Sequence, residues 1–357
     1  MGGRGRVDAK HQCIDALLDA VGAHYDLGHW WDVQPVEGGF RIAAEAGEFL
    51  ATVSPGERSD ASLRFEAMLL THLADKAFVG PRLVRTRAGR PWHRSVVGTA
   101  VLVTEWAEGG VVDASLAQHR GRSVRALAEY HAAVRSFPPR LRAQGGPTLF
   151  TLEQDGPTAL EAFAGISGWY LDADGRQRLR NASSYLWRQF IRVPAVLHAG
   201  GVTLPRLVIH GDFGQSAVVL DEGRDVNTVP PADGLAGFTK ARYDVRAVDL
   251  AAALKAFARV GGGFDLDRCA ALVAAYDDVD RLSPGEVEAV PLILRVERLV
   301  RVFRLTSGFV ARFHEGGLVE SVVGDIVEVA EAEAARLRWL EAHETAFIEA
   351  LGSSLVG

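Results

Sequence analysis

The segment Leu207-Val208-Ile209-His210-Gly211-Asp212-Phe213-Gly214-Gln215-Ser216-Ala217-Val218-Val219-Leu220 sets a short polar stretch between two apolar, β-branched runs. That pattern predicts strand, loop, strand. His210, Gly211 and Asp212 fall where the first strand ends, and Gly211 and Gly214 permit the backbone to turn there. A loop of this kind holds one carboxylate rigidly, where it can accept a proton from a substrate hydroxyl as a phosphoryl group is attacked. Taken alone, His-Gly-Asp is equally a plain turn between strands, so the surrounding sequence has to arbitrate.

Before this segment, residues 11–25 carry Ile14, Leu17, Leu18 and Val21 at helical spacing. Gly28 to Pro35 reads as a connector. Val36 to Ile42 and Glu48 to Val53 read as a hairpin turning near Glu45-Ala46-Gly47. Ser59 to Lys76 is a helix capped by Ser59 or Asp60. Pro81 to Val84 and Ala100 to Trp106 are further strands, and Val111 to Ser136 is a helix broken by Phe137-Pro138-Pro139. Thr151 to Ala199 is mostly helical. Beyond the central segment the pattern is helical again, over Asp249–Val260, Leu266–Val279, Ser283–Phe313 and Leu318–Ile348. Ser283-Pro284-Gly285-Glu286 has the form of a capping box with proline at the first helical position. Gly261-Gly262-Gly263 follows a helix instead of joining a strand to one, which makes it a poor phosphate cradle. Strands with one helix come first, then mostly helices.

At 357 residues the chain is long enough for two lobes, each with its own core. A net charge of −6 gives no reason to expect nucleic acid as a partner. Lysine is scarce, with only Lys10, Lys76, Lys240 and Lys255. Cys13 and Cys269 suggest neither a disulfide framework nor a zinc site. Residues 1–10 lack an apolar signal core and read as a flexible N-terminus. No apolar run is long enough to span a bilayer, so no membrane association and a cytoplasmic location are expected.

With Leu204-Pro205-Arg206 before it and Tyr243-Asp244-Val245-Arg246-Ala247-Val248-Asp249-Leu250-Ala251 after it, the central segment resembles the catalytic region of the aminoglycoside phosphotransferase and choline kinase-like superfamily. The resemblance covers nearly the whole chain and is supported by Arg281-Leu282-Ser283-Pro284. It implies an α+β, bilobal protein kinase-like fold. The small β-rich N-terminal lobe would be residues 11–106 and the larger, mostly helical C-terminal lobe 107–357, with the catalytic loop at 207–220. It also implies ATP and Mg2+, with the nucleotide between the lobes.

Carried onto this chain, the resemblance makes Asp212 the proton acceptor, with His210 beside it in the catalytic loop. Glu66 is the helix glutamate that orients a phosphate-holding cation. Glu105 and Ala107 fall at the hinge, whose backbone meets an adenine edge; Gly38, Gly39 and Arg41 complete the nucleotide set. The chain departs from the family pattern at three positions. Thr52 stands where the family has its strand lysine, and between Lys10 and Lys76 the long cations are Arg41, Arg58 and Arg64. Ala217 stands at the metal-binding asparagine. The family spacing back from Asp249 lands on Gly237 instead of an aspartate, which leaves Asp233 as the candidate metal ligand. Losing one such contact costs roughly two to three decades in rate. Two functions follow from this balance. One is ATP-dependent phosphorylation of a hydroxyl on a small molecule or a peptide Ser or Thr, with a rewired nucleotide site. The other is an inactive pseudokinase that binds a ligand or a protein partner.

Overall fold

The computed structural model describes residues 17–36, 38–54, 58–95, 99–107, 109–138, 149–199, 204–221, 233–317 and 320–355. The expectations for residues 1–10 and for Cys13 lie outside these residues. The chain divides into two compact units, Met1–Ala143 with Gln215–Ala241, and Gln144–Gly214 with Arg242–Gly357. Among the described residues, 109–138, 215–221 and 233–241 fall in the same unit as the sheet.

In the first unit, helix α1 (17–24) precedes strands β1 (Trp30–Val36), β2 (Gly39–Ala44) and β3 (Gly47–Ser54). Helix α2 (Asp60–Asp75), β4 (Leu83–Val84), β5 (His93–Arg94), β6 (Ala100–Glu105) and α3 (Ala117–Val134) follow. The six strands form one sheet in the order β1-β2-β3-β6-β4, with β5 also on β6, and every pairing is antiparallel. Alternation along β3 and β6 sorts the two faces. Phe49, Ala51, Val101 and Val103 pack with Leu17, Val21, Tyr25 and Ile42 into one core. Leu50, Thr52 and Thr104 point to the other face, where the site is built. Ser59 caps α2 by accepting from the Ser62 N–H, as its sequence predicts. The stretch read as a connector is strand β1. It is an edge strand with Trp31, Asp32, Gln34 and Pro35 exposed, so it lacks the alternation that betrays a half-buried strand, and proline is tolerated there.

The second unit holds α4 (Leu149–Ser167), α5 (Ala173–Ala199), β7 (Arg206–Ile209), β10 (Arg242–Val245), α6 (Ala247–Phe257), α7 (Leu266–Asp277), α8 (Pro284–His314), α9 (Glu320–Ala342) and α10 (Glu344–Ser353). Strands β8 (Val218–Val219) and β9 (Gly234–Leu235) belong to the first unit. The two apolar runs of the central segment are thus strands, but they do not pair with each other. β7 pairs with β10, and β8 with β9. The glycine run joins β11 (Arg259–Val260) to β12 (Gly263–Phe264) as a hairpin. At Gly263 a Cβ would lie 2.3 Å from the Trp339 ring, so packing accounts for that glycine. The capping box forms as its sequence predicts: the Ser283 hydroxyl accepts from the Glu286 N–H, and the Glu286 carboxylate accepts from the Ser283 N–H. No helix among the described residues is long and apolar enough to cross a membrane.

Candidate active site

A cavity of about 260 Å3 opens on the non-core face of the sheet, wholly within the first unit. Leu50, Leu70, Pro81, Val112, Val218 and Val219 give it apolar walls. At one end it reaches Glu105, Trp106 and Ala107. At the other it reaches Thr52, Glu66, Ser216, Gly237 and Thr239. The Glu105 N–H is bound to the Arg82 carbonyl and the Trp106 N–H to the Glu48 carbonyl. The Ala107 N–H has no backbone acceptor among the described residues. Thr104 is a lining residue, but its hydroxyl is buried and has no hydrogen-bond partner among the described residues. An orphaned buried hydroxyl costs about 1–3 kcal/mol unless a ligand satisfies it. Apolar walls with a few convergent polar groups suit a flat heterocycle such as a nucleobase.

The charged groups near this cavity are arranged differently from the sequence-based expectation. Arg41 binds the Glu48 carboxylate at 2.5 Å, and its guanidinium lies 5.0 Å over the Trp106 ring. β2 pairs Arg41 with Leu50 and Gly39 with Thr52, so Arg41 stands roughly 7 Å, two strand residues, nearer the hinge than the lysine position. It is not among the lining residues. Gly38 turns the chain between β1 and β2 at φ +82°, and Gly39 lacks a side chain because a Cβ would meet the Ala51 carbonyl oxygen at 2.3 Å. Neither glycine lines the cavity, and sheet geometry accounts for both. Glu66 is 5% exposed and binds Arg58 at 2.5 Å. Asp233 is not a free metal ligand. Arg122 grips it with two donors, at 2.8 and 2.5 Å, and the Asp221 N–H donates to it at 3.0 Å, so it ties α3 to the ends of β8 and β9. Ala217 is buried, and Gly237 takes the left-handed conformation at φ +81°.

The loop after β7 lies in the second unit. Asp212 is exposed there, whereas His210 is buried. The Asp212 N–H donates to His210 Nδ1 at 3.3 Å, and the His210 ring meets Phe213 edge-on at 6.3 Å. Asp249, fully buried in the first turn of α6, accepts from the His210 N–H at 2.6 Å and the Gly211 N–H at 2.9 Å. Gly211 has φ +79°, which a side chain would strain. Arg246, just ahead of α6, is buried as well. It binds Glu286 through two donors and Asp280 through a third, all at 2.7 Å, and donates to the Arg281 carbonyl. This locks the start of α6 to the 277–286 segment.

Residues 36–284 match the model of the phosphotransferase enzyme (APH) family. The chain belongs to this family. It is 28% identical over 291 residues to a homoserine kinase of Parvibaculum lavamentivorans, covering 79% of this chain and 82% of that one. It is 29% identical over 293 residues to a homoserine kinase of Methylorubrum populi, with the same coverage. Among solved structures, an aminoglycoside phosphotransferase of Alicyclobacillus acidocaldarius superposes with a TM-score of 0.63 at 20% identity, covering 96% of both chains. A microcompartment-associated aminopropanol kinase superposes with a TM-score of 0.61 at 15% identity, covering 96% and 99%. The kinase-like α+β fold expected from the central segment is thus the fold of the chain, with its β-sheet region first and its mostly helical part last.

Three residues near these groups owe their places to long-range packing. Asp249 is visible in the motif, but its part as acceptor for two loop amides is not. Thr104 follows from alternation: Val101 and Val103 face the core, so Leu102 and Thr104 face away. Arg58 carries no motif. Its signal is its place one residue before a helix cap, two turns ahead of Glu66.

Proposed function

We propose that this protein transfers a phosphoryl group from ATP to the hydroxyl of a small amino acid or amino alcohol, with Asp212 as the base. The observation that carries this reading is the exposed Asp212 carboxylate, on a loop whose two preceding amides are held by the buried Asp249. Relatives named homoserine kinase, matching over 79% of this chain, support a small hydroxylated acceptor over a peptide. ATP supplies the phosphoryl group. The acceptor oxygen bonds to the terminal phosphorus, the bond from phosphorus to the bridging oxygen breaks, and ADP leaves with the electron pair. The acceptor's proton passes to Asp212. His210, buried and hydrogen-bonded to the next turn of the loop, is a positioning residue in this scheme.

The nucleoside portion of ATP suits the cavity, because the Ala107 N–H offers a polar partner at one end of its apolar walls. Magnesium held in the usual family manner does not fit. Ala217 and Gly237 carry no ligand oxygen on their side chains, and Asp233 is occupied by Arg122. No cluster of three His, Cys, Asp or Glu that could hold a metal occurs among the described residues. Those same three positions favour a second reading, a kinase-like binding protein that performs no transfer. One measurement separates the two. ADP release and phosphorus NMR are followed with ATP and homoserine, aminopropanol or ethanolamine. Product formation that disappears in Asp212→Asn supports transfer. No product and no ADP release above a protein-free control, from wild type and variant alike, leaves the binding protein.

A further inference from the structure

The cavity is lined by two carboxylates, Glu66 and Glu105, and, among the described residues, by no lysine or arginine. A polyphosphate entering at the Thr52 end would meet Glu66, a negative group, unless a cation accompanies it. Arg41 does not, since it is engaged with Glu48 and Trp106 at the hinge end. Arg58 does. Its guanidinium binds Glu66 Oε2 at 2.5 Å and the Ser62 hydroxyl at 3.5 Å. Its backbone is fixed in turn: Arg94 donates to the Arg58 carbonyl at 2.9 Å and pairs with Asp60 in the first turn of α2. We infer that Arg58, held by Glu66, receives the nucleotide phosphates in place of the strand lysine whose position Thr52 occupies.

This rests on reading the cavity as the nucleotide site. A guanidinium has five N–H donors in a planar fork, so its chemistry allows one group to bind a carboxylate and a phosphate together. A lysine on β3 reaches Glu66 from the sheet, whereas Arg58 reaches it from the start of α2. The pair of charges is kept and its cationic member comes from a different element. The swap also explains why Thr52 can be a small, uncharged residue at 8% exposure.

The test is equilibrium binding of ATP, ADP and adenosine by calorimetry, with no acceptor and no turnover. Arg58→Ala is expected to weaken ATP at least about tenfold while leaving adenosine within about twofold. Arg58→Gln combined with Glu66→Gln removes both charges together, so no buried carboxylate is stranded, and the same selective loss is expected. Adding Thr52→Lys to Arg58→Ala rebuilds the pair from the strand and is expected to recover most of the ATP affinity. Adenosine binding in every variant confirms that the cavity is folded. ATP affinity unchanged in both Arg58 variants overturns the assignment of Arg58 and leaves the cavity reading intact. A wild-type chain that binds neither ATP nor adenosine at millimolar concentration overturns both.

Discussion

Removing the Asp249 carboxylate tests whether the catalytic loop is held as described. Asp249→Ala leaves the His210 and Gly211 amides without the acceptor that binds them at 2.6 and 2.9 Å. Hydrogen bonds to a charged acceptor contribute about 1.5–3 kcal/mol each, and a buried donor left unpaired loses a comparable amount. Asp249 is fully buried, so solvent does little to soften the loss. The two together come to about 3–6 kcal/mol, large against a typical domain stability of roughly 5–15 kcal/mol. Asp249→Asn keeps one acceptor oxygen and is expected to lose about half as much. Native-state hydrogen exchange followed residue by residue reads the effect where it arises. The amides of 210 and 211 should exchange faster by about two to three decades in Asp249→Ala, with smaller changes in α8. Urea unfolding supplies the global figure. Unaltered exchange at 210 and 211, together with a stability change below about 0.5 kcal/mol, would refute the brace.

Other perturbations separate structural from chemical roles. Asp212→Asn should lower turnover by about two to four decades while leaving thermal unfolding nearly unchanged, because the group is exposed. Arg246→Met strands the buried Glu286 and Asp280 and should cost about 3–5 kcal/mol by urea unfolding, whereas combining Arg246→Met with Glu286→Gln and Asp280→Asn should be far milder. Gly39→Ala forces a Cβ against the Ala51 carbonyl oxygen and should lower the melting temperature whether or not nucleotide is present. Burial pushes the Cys269 thiol from 9.0 up to about 12. The folded chain therefore keeps a proton that the unfolded chain loses above pH 9, and this contribution to stability is present below pH 9 and lost as pH rises toward 12. In a Cys13→Ser background, a thiol reagent at about pH 8.5, near the ordinary thiol range, should label Cys269 only in denaturant; rapid native labelling would contradict this burial.

Part of the site was legible because its signals are local. The apolar runs around His210-Gly211-Asp212, the Ser59 cap and the Ser283-Glu286 box are set by neighbours a few residues apart, and each formed where its residues placed it. Arg41 and Asp233 show where that legibility stopped. Each had the right chemistry and a nearby position, yet Glu48 and Arg122 claim them. Arg122 lies 111 residues from Asp233, and no periodicity connects them. β1 was hidden for a different reason: an edge strand with most side chains in solvent has no hydrophobic pattern to read.

The amino-acid order by itself determined the strand-loop-strand motif, the positions of the helices, and the absence of lysine, asparagine and aspartate at positions 52, 217 and 237. Only the tertiary structure decided what surrounds those positions: Arg58 on Glu66, the buried, unpartnered Thr104 hydroxyl, and Asp249 beneath the loop. The physical reason is range. Turns, caps and amphipathic faces depend on residues within a turn or two of each other. Ion pairs and buried acceptors depend on which distant side chains the packed core brings within about 3 Å, and a charge goes to the partner it can reach.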